Sequence, residues 1–167
     1  HDLEIGAPGP FLPPWDSVEK NARTIDSLGY DSMAFPDHFA GFIPESIWTS
    51  DVTPMAFIQQ SPHTYFELGS IMSACAVITE HVKLISAVTE PLRRHPILLA
   101  QMFLTLDHIS RGRTILGIGA GEIENVEPYG LKYSAQVGKL RETLEIIRKV
   151  WSTHEPFSYE GKYWKLN

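Results

Sequence analysis

Four short apolar segments recur along this 167-residue chain, and each is followed by a stretch with the spacing of an amphipathic helix. The segments start near residues 3, 31, 82 and 114, so they are 28, 51 and 32 residues apart. Strands that alternate with helices form βαβ units, and such units build parallel sheets. The sequence therefore predicts an α/β protein made of four consecutive βα units.

The spacing of these units leaves two architectures open. A TIM (β/α)8 barrel has about 31 residues per unit. The strand starts fit that interval if residues 40–62, which are rich in Pro, Ser, Phe and Ile and follow neither period, form an inserted loop. Four units would then make about the N-terminal half of a barrel. The alternative is a small doubly wound sheet, which periodicity alone does not distinguish from a half-barrel.

Local signals predict the bounds of the individual elements. Capping boxes predict helix starts at Asp16 with Glu19 and at Thr64 with Glu67, and Pro96 favours the first turn of the third helix. The last strand is almost wholly apolar, which predicts burial on both faces. Strands are predicted over 3–6, 31–35, 82–89 and 114–118, a fourth helix over about 134–152 and a hairpin over 157–166.

Composition excludes several classes of function. Asp and Glu number 20 against 14 Lys and Arg, so the net charge of −6 disfavours binding to nucleic acids or to anionic membranes. Cys75 is the only cysteine, which excludes an internal disulfide and a Cys-rich zinc site, and we expect it in the core of the second helix. Nothing in the sequence suggests a metal. No apolar run reaches the roughly 18 residues of a membrane span, so we expect a cytoplasmic protein.

The first candidate for chemistry follows the second strand. There Asp37 precedes His38, and an imidazole beside a carboxylate at a strand end can act as a general acid or base. The alternative is that His38 is a polar loop residue that bonds to the backbone.

The ends of the third and fourth strands carry further candidates. Arg93 and Arg94 precede a helix, where they suit an anion, although a solvated basic patch is the alternative. The fourth strand ends in glycines at 117, 119 and 121, which is not the spacing of a dinucleotide-binding loop. Glu122 follows them, either as an acid that projects into a site or as a carboxylate that stabilises a helix start.

The order of these motifs resembles a known family. Asp37-His38-Phe39, Ala87-Val88-Thr89, Arg94-His95-Pro96 and the run 110–122 together resemble the bacterial-luciferase-like flavin and deazaflavin oxidoreductases, which are TIM barrels. Asp37-His38 and Gly121-Glu122 followed by Asn125 are most similar to the branch that uses coenzyme F-420. That branch includes methylene-tetrahydromethanopterin reductases and phthiodiolone ketoreductases, and the run 125–130 is most like the ketoreductases.

The resemblance implies roles for individual residues. His38 would be the acid or base that faces the reacting carbon of the coenzyme, and Glu122 the second group that handles protons. Asp37 would contact the cofactor or orient the imidazole, and Ala87-Val88 would form a non-prolyl cis peptide behind the ring. The cofactor contacts implied in this way are Asp37, Ala87, Val88, Thr89, Gly121 and Asn125.

These roles imply an oxidoreductase that transfers a hydride between coenzyme F-420 and a small carbonyl, alcohol or pterin-type substrate. One alternative is an FMN-dependent monooxygenase, and another is a non-catalytic relative that binds flavin or a protein partner. Pro36 departs from the pattern, since relatives often carry Ser there. The apolar insertion indicates a hydrophobic substrate, an interface or simple surface packing.

Length is the largest departure from the family. Family members complete the barrel with four further βα units, which this sequence lacks. We therefore expect an N-terminal fragment, a half-barrel that associates with another chain, or a homo-oligomer, and we expect the isolated chain to be inactive.

Overall fold

The computed structural model describes residues 3–167, and its centre is one parallel sheet of four strands. The strands lie side by side in chain order, with Met33 paired to Ala7 on one side and to Leu84 on the other. A doubly wound sheet reverses its strand order at a switch point. The consecutive order therefore excludes that alternative and supports a barrel. The strands are β1 (Gly6–Pro8), β2 (Ser32–Phe35), β3 (Lys83–Ser86) and β4 (Thr114–Ile115).

One long helix follows each of these strands, as the sequence predicts. Neighbouring helices pack against each other in chain order and form a continuous layer on the sheet. An antiparallel hairpin of β5 (Tyr159–Glu160) and β6 (Lys165–Leu166) ends the chain, also as predicted. No helix within the described residues is both long and apolar enough to cross a membrane. The helices are α1 (Trp15–Ser27), α2 (Leu68–Ile78), α3 (Pro96–Ser110) and α4 (Gln136–Ser152).

The hydrophobic core lies between the sheet and this layer of helices. Cys75 belongs to it as predicted, and burial raises the pKa of its thiol to about 12. Removal of this apolar surface from water is the main force that holds the helices on the sheet. Fully buried members of the core include Val18, Ala22, Met33, Phe35, Met72, Leu84 and Leu99.

Two predicted helix starts are wrong in detail. α1 begins at Trp15 with no side-chain cap, so Asp16 lies inside its first turn, and Glu19 pairs with Arg23 at 2.9 Å. α2 is capped by Glu67 itself, whose carboxylate accepts a hydrogen bond from the Ser70 backbone N–H at 2.8 Å. In both cases the helix begins at a different residue than the box predicts, so the paired capping bonds of the box cannot form.

The predicted strands also shift at their ends. β1 begins at Gly6 rather than residue 3, because Asp31 accepts a hydrogen bond from the Ile5 N–H and ends the pairing there. The predicted burial of the fourth strand on both faces is wrong, since Ile115 is 41% exposed. Among the described residues β4 pairs only with β3, so its remaining side chains stay uncovered.

The segment 40–62, which the sequence predicts to be an inserted loop and which is called the insertion below, lies between β2 and α2. It contains two short 3-10 helices, Glu45–Ile47 and Pro54–Phe57. The Trp48 indole donates a hydrogen bond to the Gln59 carbonyl at 2.8 Å and joins the two arms of the insertion. At its base, the His63 Nδ1 lies 2.8 Å from the Gly41 carbonyl oxygen.

Candidate active site

A cleft of about 320 Å³ opens where β2, β3 and β4 end. In parallel α/β folds, this carboxyl edge of the sheet is where ligands bind. The structure brings seven of the eight predicted site residues to this cleft, and the eighth, Thr89, is buried behind it. The cleft is lined by Asp37, His38, Ala87, Val88, Glu90, Arg93, Gly119, Ala120, Gly121, Glu122 and Asn125.

The His38 imidazole is held by the side chain of Asn125. The Asn125 oxygen accepts a hydrogen bond from the Phe39 N–H at 3.2 Å, which fixes the orientation of the amide. Its nitrogen therefore faces His38 and donates to Nδ1 at 2.8 Å. A neutral imidazole that accepts at Nδ1 carries its proton on Nε2. Asn125 thus selects the tautomer whose N–H points away from it.

Glu122 lies near the second nitrogen of the imidazole. Its Oε2 is 3.7 Å from the His38 Nε2 and accepts a hydrogen bond from Asn125 at 3.0 Å. The Glu122 side chain is 59% exposed, so it can exchange protons with solvent. His38, Asn125 and Glu122 together form a polar cluster. This cluster can hold a proton at Nε2 of His38 and can replace that proton after it has been transferred.

Asp37 lines the cleft, but its carboxylate does not hold the imidazole, which was one of the two roles that the resemblance implies for it. Its carboxylate is buried and accepts hydrogen bonds from the Thr89 hydroxyl at 2.6 Å and from Arg94. Arg93 lies 3.0 Å from the same carboxylate and donates to the Asp37 carbonyl. The carboxylate is thus taken up by protein donors, and Asn125, not Asp37, holds the imidazole.

The two arginines form an internal network of ion pairs, so neither is a solvated patch or a free anion site. The Arg93 side chain is 3% exposed and pairs with Glu90 as well as Asp37. Arg94 also pairs with Glu67 at 3.0 Å. Burial acts to lower the pKa of Arg94, but hydrogen bonds and charges from Asp37 and Glu67 outweigh it and raise that pKa. The network ties the ends of β2 and β3 to the start of α2.

The floor of the cleft is made of small residues. The peptide between Ala87 and Val88 is cis, as the resemblance implies, and the Val88 side chain is 53% exposed. A Cβ added to Gly117 would lie 1.9 Å from the Ser86 carbonyl oxygen, so this glycine permits the close approach of β3 and the chain after β4. In the described part of the chain, no group of three His, Cys, Asp or Glu side chains could hold a metal ion.

Comparison with known proteins decides the family. The model of the luciferase-like monooxygenase family matches residues 1–167. The chain belongs to the luciferase-like monooxygenase family.

Two curated relatives of this luciferase-like chain carry specific names. The phthiodiolone/phenolphthiodiolone dimycocerosates ketoreductase of Mycobacterium tuberculosis is 33% identical over 159 residues, which cover 93% of this chain and 42% of the relative. The F-420-dependent glucose-6-phosphate dehydrogenase of Segniliparus rotundus is 31% identical over 142 residues, or 82% of this chain and 37% of the relative. The chain spans less than half the length of the curated relatives it matches.

Solved structures confirm the partial-barrel fold. An F-420-dependent secondary alcohol dehydrogenase superposes with a TM-score of 0.80 at 23% identity, over 100% of this chain and 47% of its own. The oxygenating component of 3,6-diketocamphane monooxygenase from Pseudomonas putida, in complex with FMN, has a TM-score of 0.72 at 30% identity, over 98% and 43%. The luciferase-like chain therefore has the fold of a partial barrel and matches slightly less than half of each of these chains.

Sequence reasoning missed two features of this luciferase-like site. Glu90 is buried and accepts hydrogen bonds from the backbone and side chain of Arg93. The sequence feature that could have predicted this ion pair is the spacing of three residues between Glu90 and Arg93. The contact between Asn125 and His38 had no sequence signal, because the two residues are 87 positions apart.

Proposed function

We propose that the protein to which this chain belongs is a coenzyme F-420-dependent oxidoreductase that interconverts a carbonyl and an alcohol by hydride transfer. The observation that carries the proposal is the orientation of His38. Asn125 holds its Nδ1, so Nε2 carries a proton at the edge of a cleft and beside Glu122. Reduction of a carbonyl needs a proton donor at the oxygen in addition to a hydride at the carbon.

The floor of the cleft fits a flat ring system. Ala87, Gly119, Ala120 and Gly121 present little side chain, and the exposed side chain of Val88 offers an apolar surface for a ring to cover. These residues would hold the deazaflavin ring. When bound there, the coenzyme supplies or accepts the hydride.

The protein's own groups move the proton. In the reducing direction, Nε2 of His38 donates its proton to the carbonyl oxygen as the carbon receives the hydride, and a proton from Glu122 replaces it at Nε2, so that the imidazole stays neutral and the product is the alcohol. In the oxidising direction these transfers run in reverse: the Nε2 proton passes to the Glu122 carboxylate, and Nε2 takes the hydroxyl proton. Glu122, which is exposed and close to Nε2, would carry the proton between His38 and solvent.

The names of the relatives support this reaction class. One is a ketoreductase and the other an F-420-dependent dehydrogenase, and both names describe redox chemistry between a carbonyl and an alcohol. The FMN complex of a 30% identical monooxygenase favours a second candidate, an FMN-dependent monooxygenase built on the same fold. A third candidate is a non-catalytic relative that only binds flavin, although such a protein would not require a proton positioned at Nε2 of His38.

Titration of the intact protein with coenzyme F-420 and with FMN, followed by ligand fluorescence, distinguishes these candidates. We expect binding of coenzyme F-420 in the micromolar range and weak binding of FMN. Preference for FMN would favour the monooxygenase, and binding without turnover of any ketone or alcohol would favour the non-catalytic relative. Binding of neither ligand would contradict all three.

Variants then test the roles of the side chains. We expect His38→Ala to lower kcat by about 10²–10⁴-fold, and Glu122→Gln to lower it less. His108→Ala and Glu124→Gln are matched controls, because both residues are exposed outside the cleft. Equal effects of His38→Ala and His108→Ala would refute the role of His38.

We also propose that this half-barrel associates with further βα units, from its own chain or from a partner. Apolar side chains at the two edges of the sheet support this, since Ile5, directly before β1, and Ile115 of β4 are both exposed. The 167-residue chain alone should self-associate in size-exclusion chromatography, and a stable monomer would contradict the inference. Its cytoplasmic location and the division into a half-barrel with an insertion at 40–62 remain predictions.

A further inference from the structure

A second cavity, of about 760 Å³, lies between the loop after β1, helix α1 and the insertion 40–62. It is more than twice the volume of the cleft that holds His38. Cavities of a few hundred to a thousand cubic ångströms with mainly apolar walls are typical of small-molecule sites. Its apolar lining includes Phe11, Phe42, Ile43, Trp48, Met55 and Ile58.

This cavity adjoins the candidate active site through two aromatic side chains. Phe42 and Tyr65 line the cavity, and their ring centroids lie 5.9 and 5.7 Å from that of His38. The imidazole lines the neighbouring cleft. A ligand whose oxygen lies at His38 could therefore extend past these rings into the larger space.

The composition of the insertion suits the wall of a ligand-binding cavity. Phe42 and Ile58 are exposed although both are apolar, and a ligand in the cavity would cover such surface. Gln59 adds one polar position, since it is buried and its Nε2 donates to the Thr64 carbonyl at 2.8 Å. Within residues 3–167 its Oε1 has no hydrogen-bond partner. An apolar wall with a single hydrogen-bonding position is what an elongated organic ligand requires.

We propose that this cavity binds the aliphatic chain of an elongated ketone or alcohol, whose oxygen lies at His38. The proposal rests on the proposed function and adds the substrate class. It assigns the insertion 40–62 to substrate binding, in preference to an interface with another protein.

Chain length provides the kinetic test. In the intact protein loaded with coenzyme F-420, KM should fall by up to about fourfold for each methylene added from 2-butanone to 2-decanone. A KM that is independent of chain length would overturn the proposal. The exposed side chain of Ile58 allows a variant that should fold, Ile58→Lys. It should raise KM for 2-decanone at least tenfold and KM for 2-butanone less than twofold, whereas equal effects on the two ketones would overturn the proposal.

A matched control and a binding experiment complete the test. Val77→Lys introduces the same charge at an exposed position on α2 outside the cavity, and it should change neither KM. Without turnover, a brominated 2-decanol should quench the fluorescence of Trp48, and the quenching should vanish in Trp48→Phe. Quenching without turnover would support the cavity and refute the proposed function. Turnover without quenching would support the proposed function and refute the cavity as the site of the aliphatic chain. A cavity filled by other residues of the intact protein would refute it as well.

Discussion

The side-chain nitrogen of Asn125 donates a hydrogen bond to Nδ1 of His38 across 2.8 Å, although the two residues are 87 positions apart. Because the amide oxygen of Asn125 is engaged by the Phe39 N–H, the amide cannot turn over without loss of that bond. The chemistry available at Nε2 of His38 is thus set by a residue on a different βα unit.

Asn125→Asp should reverse the tautomer of His38. A carboxylate at this position accepts a hydrogen bond from Nδ1–H, so the neutral imidazole has no hydrogen on Nε2, and kcat for ketone reduction should fall about 100-fold. The ¹⁵N chemical shifts of the imidazole report the protonated nitrogen directly. An unchanged Nε2–H signal in this variant would contradict the assignment. Gln101→Ala, at an exposed position on α3, is the control and should leave both readouts unchanged.

Asp37→Asn should destabilise the fold as well as the site. The substitution leaves the nearly buried Arg93 side chain with one carboxylate fewer, and removal of one member of a buried ion pair costs about 3–5 kcal/mol. Urea unfolding of the intact protein measures this loss. Glu80→Gln is the matched control, because the exposed Glu80–His81 pair should contribute less than about 1 kcal/mol. Similar values for the two variants would show that the network does not hold the strand ends.

Asp26→Asn should lower stability in a pH-dependent way. Burial acts to raise the pKa of Asp26, but hydrogen bonds from the N–H groups of Glu80, Val82 and His81 outweigh it and lower that pKa. The contribution of the carboxylate is therefore fully present above its ordinary pKa of about 4 and is lost as the pH falls through the lowered folded-state value.

We expect the free energy of unfolding of Asp26→Asn to be about 1–2 kcal/mol below that of the parent at pH 7. The difference should shrink progressively below about pH 4. Denaturant titrations at a series of pH values measure it, and a difference that does not vary with pH would show that the charge of Asp26 contributes nothing.

Gly117→Ala adds one methyl group to the chain after β4 and should lower the stability of the fold more than most substitutions of that size. The added carbon would lie 1.9 Å from the backbone oxygen of Ser86, so β3 and the chain after β4 would have to separate. We expect a loss of more than about 4 kcal/mol or failure to fold. Gly130→Ala also replaces a glycine, at a φ of +77° with no neighbour within 4 Å, and should cost only about 1–2 kcal/mol. Thermal unfolding of the two variants compares them.

The sequence predicts the order of elements well, because apolar periodicity reports which face of each element is buried. It predicts the location of the site for the same reason, since parallel strands end at one edge. It does not predict which side chains pair there. On α4, the apolar side chain of Val137 is exposed, whereas the polar side chain of Thr143 is buried together with Ile146. That difference depends on the angle at which α4 crosses α3, and a one-dimensional pattern does not contain it.

Arg93 and Arg94 show the same limit at the site. Their charge suggests an anion or solvent, and only the fold reveals that Asp37, Glu67 and Glu90 neutralise them. These partners come from the ends of β2 and β3 and from the start of α2, so their proximity depends on tertiary packing. The roles proposed for His38 and Glu122 come from the resemblance to the luciferase-like family, because local spacing left them open.

The two ends of the insertion 40–62 meet, since the Gly41 carbonyl oxygen lies 2.8 Å from the His63 imidazole nitrogen. A loop whose ends are already in contact can be lengthened or replaced at a small cost in closure entropy, without displacement of β2 or α2. With the substrate binding proposed for this segment, substrate range could diversify by its exchange, while His38, Glu122 and Asn125 stay where the strand ends place them. The same property makes the segment a natural position for grafting when the specificity of the barrel is to be redesigned.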